Sequence, residues 1–468
     1  MTLAIVAIVI FGYLLVATSN ISNINRAAAA MFVGTLGWII YVCYGTDFVM
    51  SEHSYHYHEF LDGDSPTSVA VKHYIADNIF LMYVGRAAEV VLFLLATMTI
   101  VEILNNNGCF DFLVKWLRTR SSVKLLWMLS AVTFLISANL DNLTTTMMML
   151  VMMHQLINSH RQRVIYGFAI VLSANIGGAL TVIGNPEGLV LWNMGAVTAT
   201  NFSLSLLLPL LIAWAVPLAM LSRKLPERLD VQWVVMPYRG DDTNLNYWQR
   251  IMMLVVGIGG LWFIPTFHNI TKLSPFLGAL CVLSILWIVN EVVNRKLIHS
   301  DMMVQRREPI ILQHGTIKLM LFVIGIILSV GVLKESGALE DFATWCELNI
   351  HNIWVLGIVA GLISTVLDTF ATAMNFFWLY PVTDAFDVSQ SVMPLYTENF
   401  MQNGNYWKVI AYTTAIGGTI LTAGSMSGTA FAVMERLSGA SYFMKFGVKV
   451  LIGGLLGYAA LYIQMEII

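Results

Sequence analysis

Charged side chains are too scarce here to wet the surface of a folded chain this long. Asp, Glu, Lys and Arg make up 11% of 468 residues, while 57% are hydrophobic. A soluble domain carries roughly 25% charged residues, because its surface faces water. The solvent for most of this chain is therefore lipid. A soluble enzyme of two or three domains is excluded. A formal charge of −3 offers no basic field for nucleic acid, so no nucleic-acid partner is expected. The apolar runs are continuous rather than alternating, which excludes an outer-membrane barrel and leaves helices as the way across. The four cysteines, Cys43, Cys109, Cys281 and Cys346, have no metal-binding or redox spacing and read as buried small hydrophobes.

Stretches long and apolar enough to span lie near 1–18, 28–45, 84–104, 202–222, 249–265, 273–293, 318–334 and 446–466. The first lacks the basic leader and small-residue cleavage site of a signal peptide. Two zones, 122–200 and 350–436, are apolar overall but interrupted by Gly, Pro, Asn, Asp and Thr. Basic residues cluster at Lys115, Arg118, Arg120 and Lys124, at Arg161 and Arg163, at Arg223, Lys224 and Arg228, and at Arg295, Lys296, Arg306, Arg307 and Lys318. By the positive-inside rule these segments are cytoplasmic. Bases then flank 122–160 on both sides, so that segment reads as a re-entrant hairpin. The expectation is an all-α polytopic membrane protein of about ten full spans, with both termini outside. Interfacial helices are expected near 66–82 and in the loop 294–317.

The chain also repeats itself. Leu135-Ile136-Ser137 followed by Leu140-Asp141 matches Leu362-Ile363-Ser364 followed by Leu367-Asp368. Thr145 and Met147 match Thr372 and Met374, and Leu104 and Gly108 match Leu333 and Gly337. Ile176-Gly177-Gly178, Gly184 and Gly188 match Ile416-Gly417-Gly418, Gly424 and Gly428 at a constant offset of 240. Two halves of one architecture are expected: 1–222, with a hairpin at 122–160 and a broken helix at 164–200, and 249–468, with a hairpin at 350–403 and a broken helix at 406–436. A cytoplasmic linker, 223–248, joins them. The loop after Leu104 is basic and the one after Leu333 acidic, so the halves read as inverted. Inverted repeats with broken helices are a mark of secondary transporters, whose site lies near the membrane midplane.

Asp141 and Asp368 lie at matching breaks inside apolar surroundings. A carboxylate at membrane depth is costly when charged and marks function by default. Around Asp141 stand Ser137, Asn139, Asn142, Thr144, Thr145 and Thr146, and around Asp368 stand Ser364, Thr365, Thr369 and Thr372. Such hard oxygens suit a small hard cation. The Gly-rich pieces 176–188 and 416–428 should unwind and present carbonyls, with Asn175, Asn185, Thr419, Thr422, Ser425 and Ser427 beside them. Pro186 suits the opening turn of a half-helix. Many of these Thr and Gly residues have a plain alternative, since Ser and Thr in membrane helices commonly bond their own i−4 carbonyl and Gly marks close packing. The candidate cation and proton ligands are Asp141, Asp368, Asn139, Asn142, Thr144, Thr145, Asn175, Asn185, Ser364, Thr369, Thr419 and Ser425. Glu187 sits beside a break, and Glu435 reads either as a site group or as a helix-end charge beside Arg436.

The run Ser137-Ala-Asn-Leu-Asp-Asn-Leu-Thr-Thr-Thr146, with Ser173-Ala-Asn-Ile-Gly-Gly178 and Val182-Ile-Gly184, resembles the NhaD-type sodium/proton antiporters of the ion-transporter superfamily. Ala415-Ile-Gly-Gly-Thr-Ile-Leu421 with Gly424-Ser425 resembles the same family. The resemblance implies exchange of Na+ or Li+ for H+, a scaffold part for dimerisation, a moving part carrying both hairpins, and elevator-like alternating access. It implies a homodimer in a bacterial inner membrane and no cofactor. Two positions depart from the family pattern: Asn185 stands where an acidic residue is usual, with Glu187 two positions on, and Thr369 stands where Asn is usual. Both bear on ion choice and proton number.

Other classes remain open on the residues alone. A sodium-coupled carrier of a dicarboxylate or an oxyanion such as arsenite would hold its anion at half-helix N-termini and Ser-Asn-Thr tips. This chain has Ser137-Ala-Asn139 and Ser364-Thr-Val366 there, beside two acids. An intramembrane metalloprotease would need a His-Glu-x-x-His run, which His154 lacks. A receptor or scaffold has no need of paired buried carboxylates. His53, His56 and His58, among Glu52, Glu59, Asp62 and Asp64, form an external loop, read as solvated rather than metal-binding. The 26 methionines, Met147 to Met149 among them, read as packing residues.

Overall fold

A continuous apolar sequence in lipid must satisfy its backbone internally, and helices do so. The computed structural model describes residues 1–466 apart from 23, 47, 50–52, 62–66, 227–244, 295–309 and 392. Among the described residues there are helices and no strand, only one isolated bridge between Thr383 and Met401.

In chain order the principal helices are α1 (Thr2–Ala17), α2 (Arg26–Tyr44), α3 (Ser68–Asn106), α4 (Ser122–Ser137), α5 (Asn142–Leu156) and α6 (His160–Gly178). Then come α7 (Pro186–Asn193), α8 (Ala199–Ser222), α9 (Tyr247–Thr271), α10 (Pro275–Asn294), α11 (Ile310–Glu335) and α12 (Ala338–Asn349). The series ends with α13 (Ile353–Ser364), α14 (Thr369–Phe377), α15 (Asn405–Ile420), α16 (Met426–Met434) and α17 (Gly439–Glu466).

Among the described residues, seven helices are long and apolar enough to cross a membrane: α2, α3, α8, α9, α10, α11 and α17. The chain is thus a multi-pass membrane protein. The helix α1 is equally apolar but only 16 residues long. Large apolar side chains such as Leu208, Trp262, Ile288, Val292 and Leu455 stand exposed along the spans, where lipid is their natural solvent.

Between helices in lipid, packing and polar contacts replace the hydrophobic drive. The helix α2 packs along α11, fastened where Trp38 Nε1 donates to the Leu328 carbonyl at 2.9 Å. The helix α8 packs along α17, where Gln464 Nε2 donates to the Ser205 carbonyl at 3.2 Å. Tyr412 and Tyr458 tie α17 to α15 and α13 through the carbonyls of Gly454 and Trp354. Inside the bundle α4 lies on α6 and α13 lies on α15, while α5 touches α16 and α7 touches α14. Each hairpin's first arm thus packs on the broken helix of its own half. Each second arm meets the short half-helix of the other.

Two glycines set how closely those pairs approach. A Cβ at Gly177 would collide with the Phe134 carbonyl, and one at Gly417 with the Gly361 carbonyl. Both sit at the matching position of a broken helix, against the first arm of a hairpin.

Some expectations change on contact with the fold. Residues 68–106 form one unbroken helix with a π turn at Ile75–Phe80, so no separate interfacial helix precedes the third span. Asp77 and Asn78 dilute the hydropathy there without breaking the backbone. Most of the expected linker and of the interfacial helix at 294–317 lies outside the described residues. Cys109 and Cys346 are buried as expected, but Cys43 and Cys281 are exposed on the apolar helices α2 and α10. A small, weakly polar thiol is at home on such a face as well as in a core.

Candidate cation site

Both hairpins break at the residue before an aspartate's helix. Asp141 caps α5, accepting from the Thr144 backbone N–H at 2.9 Å and from Thr144 Oγ1 at 3.2 Å, both on Oδ2. Asp368 caps α14, its Oδ1 accepting from the Phe370 N–H at 3.0 Å. An N-cap aspartate is a favourable local choice, since its oxygen meets an otherwise unpaired N–H and the positive end of the helix. Capping accounts for one oxygen of each. The other oxygens, Asp141 Oδ1 and Asp368 Oδ2, are buried and accept no hydrogen bond among the described residues. The two residues are 3% and 2% exposed.

The broken helices repeat the device without charge. Asn185 caps α7 by accepting from the Gly188 N–H at 3.2 Å, and Ser425 caps α16 by accepting from the Gly428 N–H at 3.0 Å. Pro186 opens α7 at its first turn. Ser137 donates to the Ala174 carbonyl at 2.6 Å and Ser364 to the Thr414 carbonyl at 2.8 Å, so these serines pin hairpin to broken helix.

Asn175, in the last turn of α6, links α5, α15 and the cap of α16. Its Nδ2 donates to Thr419 Oγ1 at 3.2 Å and to Ser425 Oγ at 3.0 Å, while its Oδ1 accepts from Asn142 Nδ2 at 3.5 Å. Thr419 in turn bonds its own i−4 carbonyl, Ala415, at 3.0 Å. Thr145 and Thr372, one turn beyond each aspartate, are buried with hydroxyls that find no partner among the described residues. Thr369, which opens α14, lies beside the carboxylate of Glu187.

Glu187 is the third acid of the cluster. It is 5% exposed, lies in the first turn of α7, and is close enough to feel the charges of both Asp368 and Asp141. Its Oε2 is buried with no hydrogen-bond partner among the described residues. A small pocket opens beside Asn185 and Glu187, walled by Phe202, Ala411 and Thr414. Not every expected residue joins the cluster. The side chain of Asn139 instead donates to the Leu135 carbonyl at 2.8 Å and accepts from the indole of Trp262 on α9.

One residue in the site was not foreseen. Arg26 opens α2, and its Nη1 stands 3.6 Å from Asp368 Oδ2, while Nε donates to Ser19 Oγ at 2.7 Å. The signal available was a lone base at the head of an apolar helix. Glu435 resolves toward burial rather than a surface helix end. Its carboxylate, 1% exposed, lies 2.7 Å from His154 Nε2, 3.5 Å from His160 Nε2 and 3.3 Å from Arg163 Nε. His53 is tied to Glu335 at 2.9 Å, and residues 54–61 are helical rather than a plain loop, while Glu52, Asp62 and Asp64 lie outside the described residues. Among the described residues no group of three metal-binding side chains forms.

The arrangement is a buried, oxygen-lined cluster of three acids at the meeting point of four half-helices. The family described as citrate transporter, CitMHS, matches residues 1–396. The chain belongs to the CitMHS citrate transporter family. CitMHS proteins are transporters, not enzymes. Sodium/proton antiporter 1 of Arabidopsis thaliana is 30% identical over 80% of this chain and 62% of its own length. Sodium/proton antiporter 2 of the same plant is 28% identical over 81% of this chain and 86% of its own. The Na(+)/H(+) antiporter NhaD of Vibrio cholerae is 26% identical, over 73% and 71%. The CitMHS chain thus spans less than two thirds of the first of these and most of the others. The NhaD-type resemblance drawn from the hairpin and Gly-Gly blocks holds.

Proposed function

We propose that the protein is a secondary transporter that exchanges Na+ or Li+ for H+ across the membrane. The observation that carries the reading is the set of unspent acceptors, Asp141 Oδ1, Glu187 Oε2 and the hydroxyl of Thr145, buried with no hydrogen-bond partner among the described residues. A buried carboxylate is tolerable only when a proton or a cation neutralises it. The two therefore compete, and a site that crosses the membrane when loaded with the cation or with protons but not when empty couples one flux to the other. Asp141 is the centre of this site. Asn142, Thr144, Asn175, Thr419 and Ser425 order the oxygens around it. The names of the plant and Vibrio relatives support the ion pair Na+ and H+.

The same reading takes the two halves as inverted repeats with about ten crossings, assembled as a homodimer and moving by an elevator mechanism. The exchanged pairing of α5 with α16 and α7 with α14 supports it, because each hairpin arm then travels with the half-helix it touches. The family description favours one other reading, a carrier of a dicarboxylate or an oxyanion coupled to Na+. Three carboxylates round the site oppose an anion there.

A panel in everted membrane vesicles separates the two. Added NaCl or LiCl should release protons from vesicles that hold a pH gradient, and KCl should not. Uptake of citrate driven by Na+, with no proton release by Na+ alone, selects the anion carrier instead.

A further inference from the structure

Of the three buried acids in the cluster, Asp368 alone stands within ion-pair distance of a base among the described residues. Arg26 stands 3.6 Å from Asp368 Oδ2, and their side chains are 10% and 3% exposed. No ion pair forms to Asp141 or Glu187 among the described residues. The guanidinium is held in place on its far side, where Nε donates to Ser19 Oγ at 2.7 Å. Asn25 caps the same helix turn by accepting from the Ala27 N–H, which fixes the direction in which Arg26 leaves the backbone. Asp368 is fixed in the same way by the Phe370 N–H.

We infer that Arg26 is a built-in counter-cation for Asp368, so that the transported cation and the exchanged protons are shared between Asp141 and Glu187 alone. The two aspartates look equivalent in sequence but have different roles. A guanidinium stays protonated under all ordinary conditions, so it neutralises Asp368 permanently. Asp141 and Glu187 then remain as two uncompensated acids, which take two protons in one loading state. One Na+ leaves the same pair with one negative charge, so exchange of one Na+ for two H+ moves charge. Arg26 acts through Asp368 and is a positioning residue, not a ligand of the ion. The inference rests on the cation/proton reading above.

Double substitution separates a counter-ion pair from a ligand. Removing Asp368 alone takes from the buried Arg26 the carboxylate it faces, a costly state, whereas removing both partners is often near neutral. The full chain is purified, reconstituted in liposomes, and probed with Na+ alone. Asp368→Asn should slow exchange about tenfold or more. Arg26→Gln with Asp368→Asn should return the rate to near wild type, with the half-saturating Na+ and the reversal potential for one Na+ against two H+ unchanged. Arg26→Gln alone exposes a third acid and should shift the reversal potential toward a higher proton count. Stabilisation of the detergent-solubilised protein by Na+ reads binding without transport, and it should survive in Asp368→Asn and in the double variant. A double variant as slow as Asp368→Asn, or one no longer stabilised by Na+ while the wild type is, overturns the inference. A wild type that shows no exchange overturns the cation/proton reading itself.

Discussion

Asn175 Nδ2 stands 3.0 Å from Ser425 Oγ, joining the last turn of α6 to the cap of α16. The same amide reaches Thr419 and receives Asn142, so one side chain holds both halves of the site in register. Asn175→Ala should raise the half-saturating Na+ concentration roughly tenfold, as expected for losing a buried polar contact. Exchange assayed across a Na+ series in vesicles checks it, and an unchanged midpoint would remove Asn175 from the site.

Close approach at the two matching glycines makes a second expectation. A methyl at Gly177 or Gly417 meets backbone oxygen rather than a yielding side chain. Gly177→Ala and Gly417→Ala should each cost about 1–3 kcal/mol. Gly85→Ala, where nothing lies within 4 Å of the added carbon, should be neutral or better. Thermal unfolding in detergent reads all three.

Glu435 holds His154, His160 and Arg163 together from inside the protein. Glu435→Ala would remove the buried acceptor that these partly exposed groups share, at a cost of about 1–3 kcal/mol. Glu398, which is exposed, should tolerate the same change within about 0.5 kcal/mol. Equal melting temperatures for the two variants would show that the Glu435 cluster carries no stability.

The thiols differ in their surroundings. Cys109 follows the end of α3 and is buried, which pushes its thiol up to about 12. A thiol reacts as thiolate, and at pH 8 roughly one in ten thousand Cys109 side chains would be ionised. Cys109 should resist maleimide at pH 8 in the folded protein and react once denatured, as mass spectrometry would show. Rapid labelling in the folded state would contradict the burial.

Much of the candidate site is legible in the sequence because lipid makes each charge conspicuous. Asp141 and Asp368 stand out as acids inside apolar runs, and Gly and Pro mark where the helices break. The contacts that join distant segments are not legible. Arg26 meets Asp368, and His160 meets Glu435 across 275 positions, through packing that no local pattern encodes. Asn139 reads like its neighbours but turns to Trp262, since the hairpin tip has an outer as well as an inner face. Polar residues also mislead where they do not interrupt the helix, as Asp77 and Asn78 do within α3.

The central claim is that Asp141 carries the exchange. Everted membrane vesicles with a proton gradient are compared for wild type, Asp141→Asn and Asp384→Asn, the last an exposed acid outside the site. The account predicts proton release on adding Na+ or Li+ for wild type and Asp384→Asn, and none for Asp141→Asn at equal protein in the membrane. Asp141→Asn vesicles that release protons at the wild-type rate would contradict it.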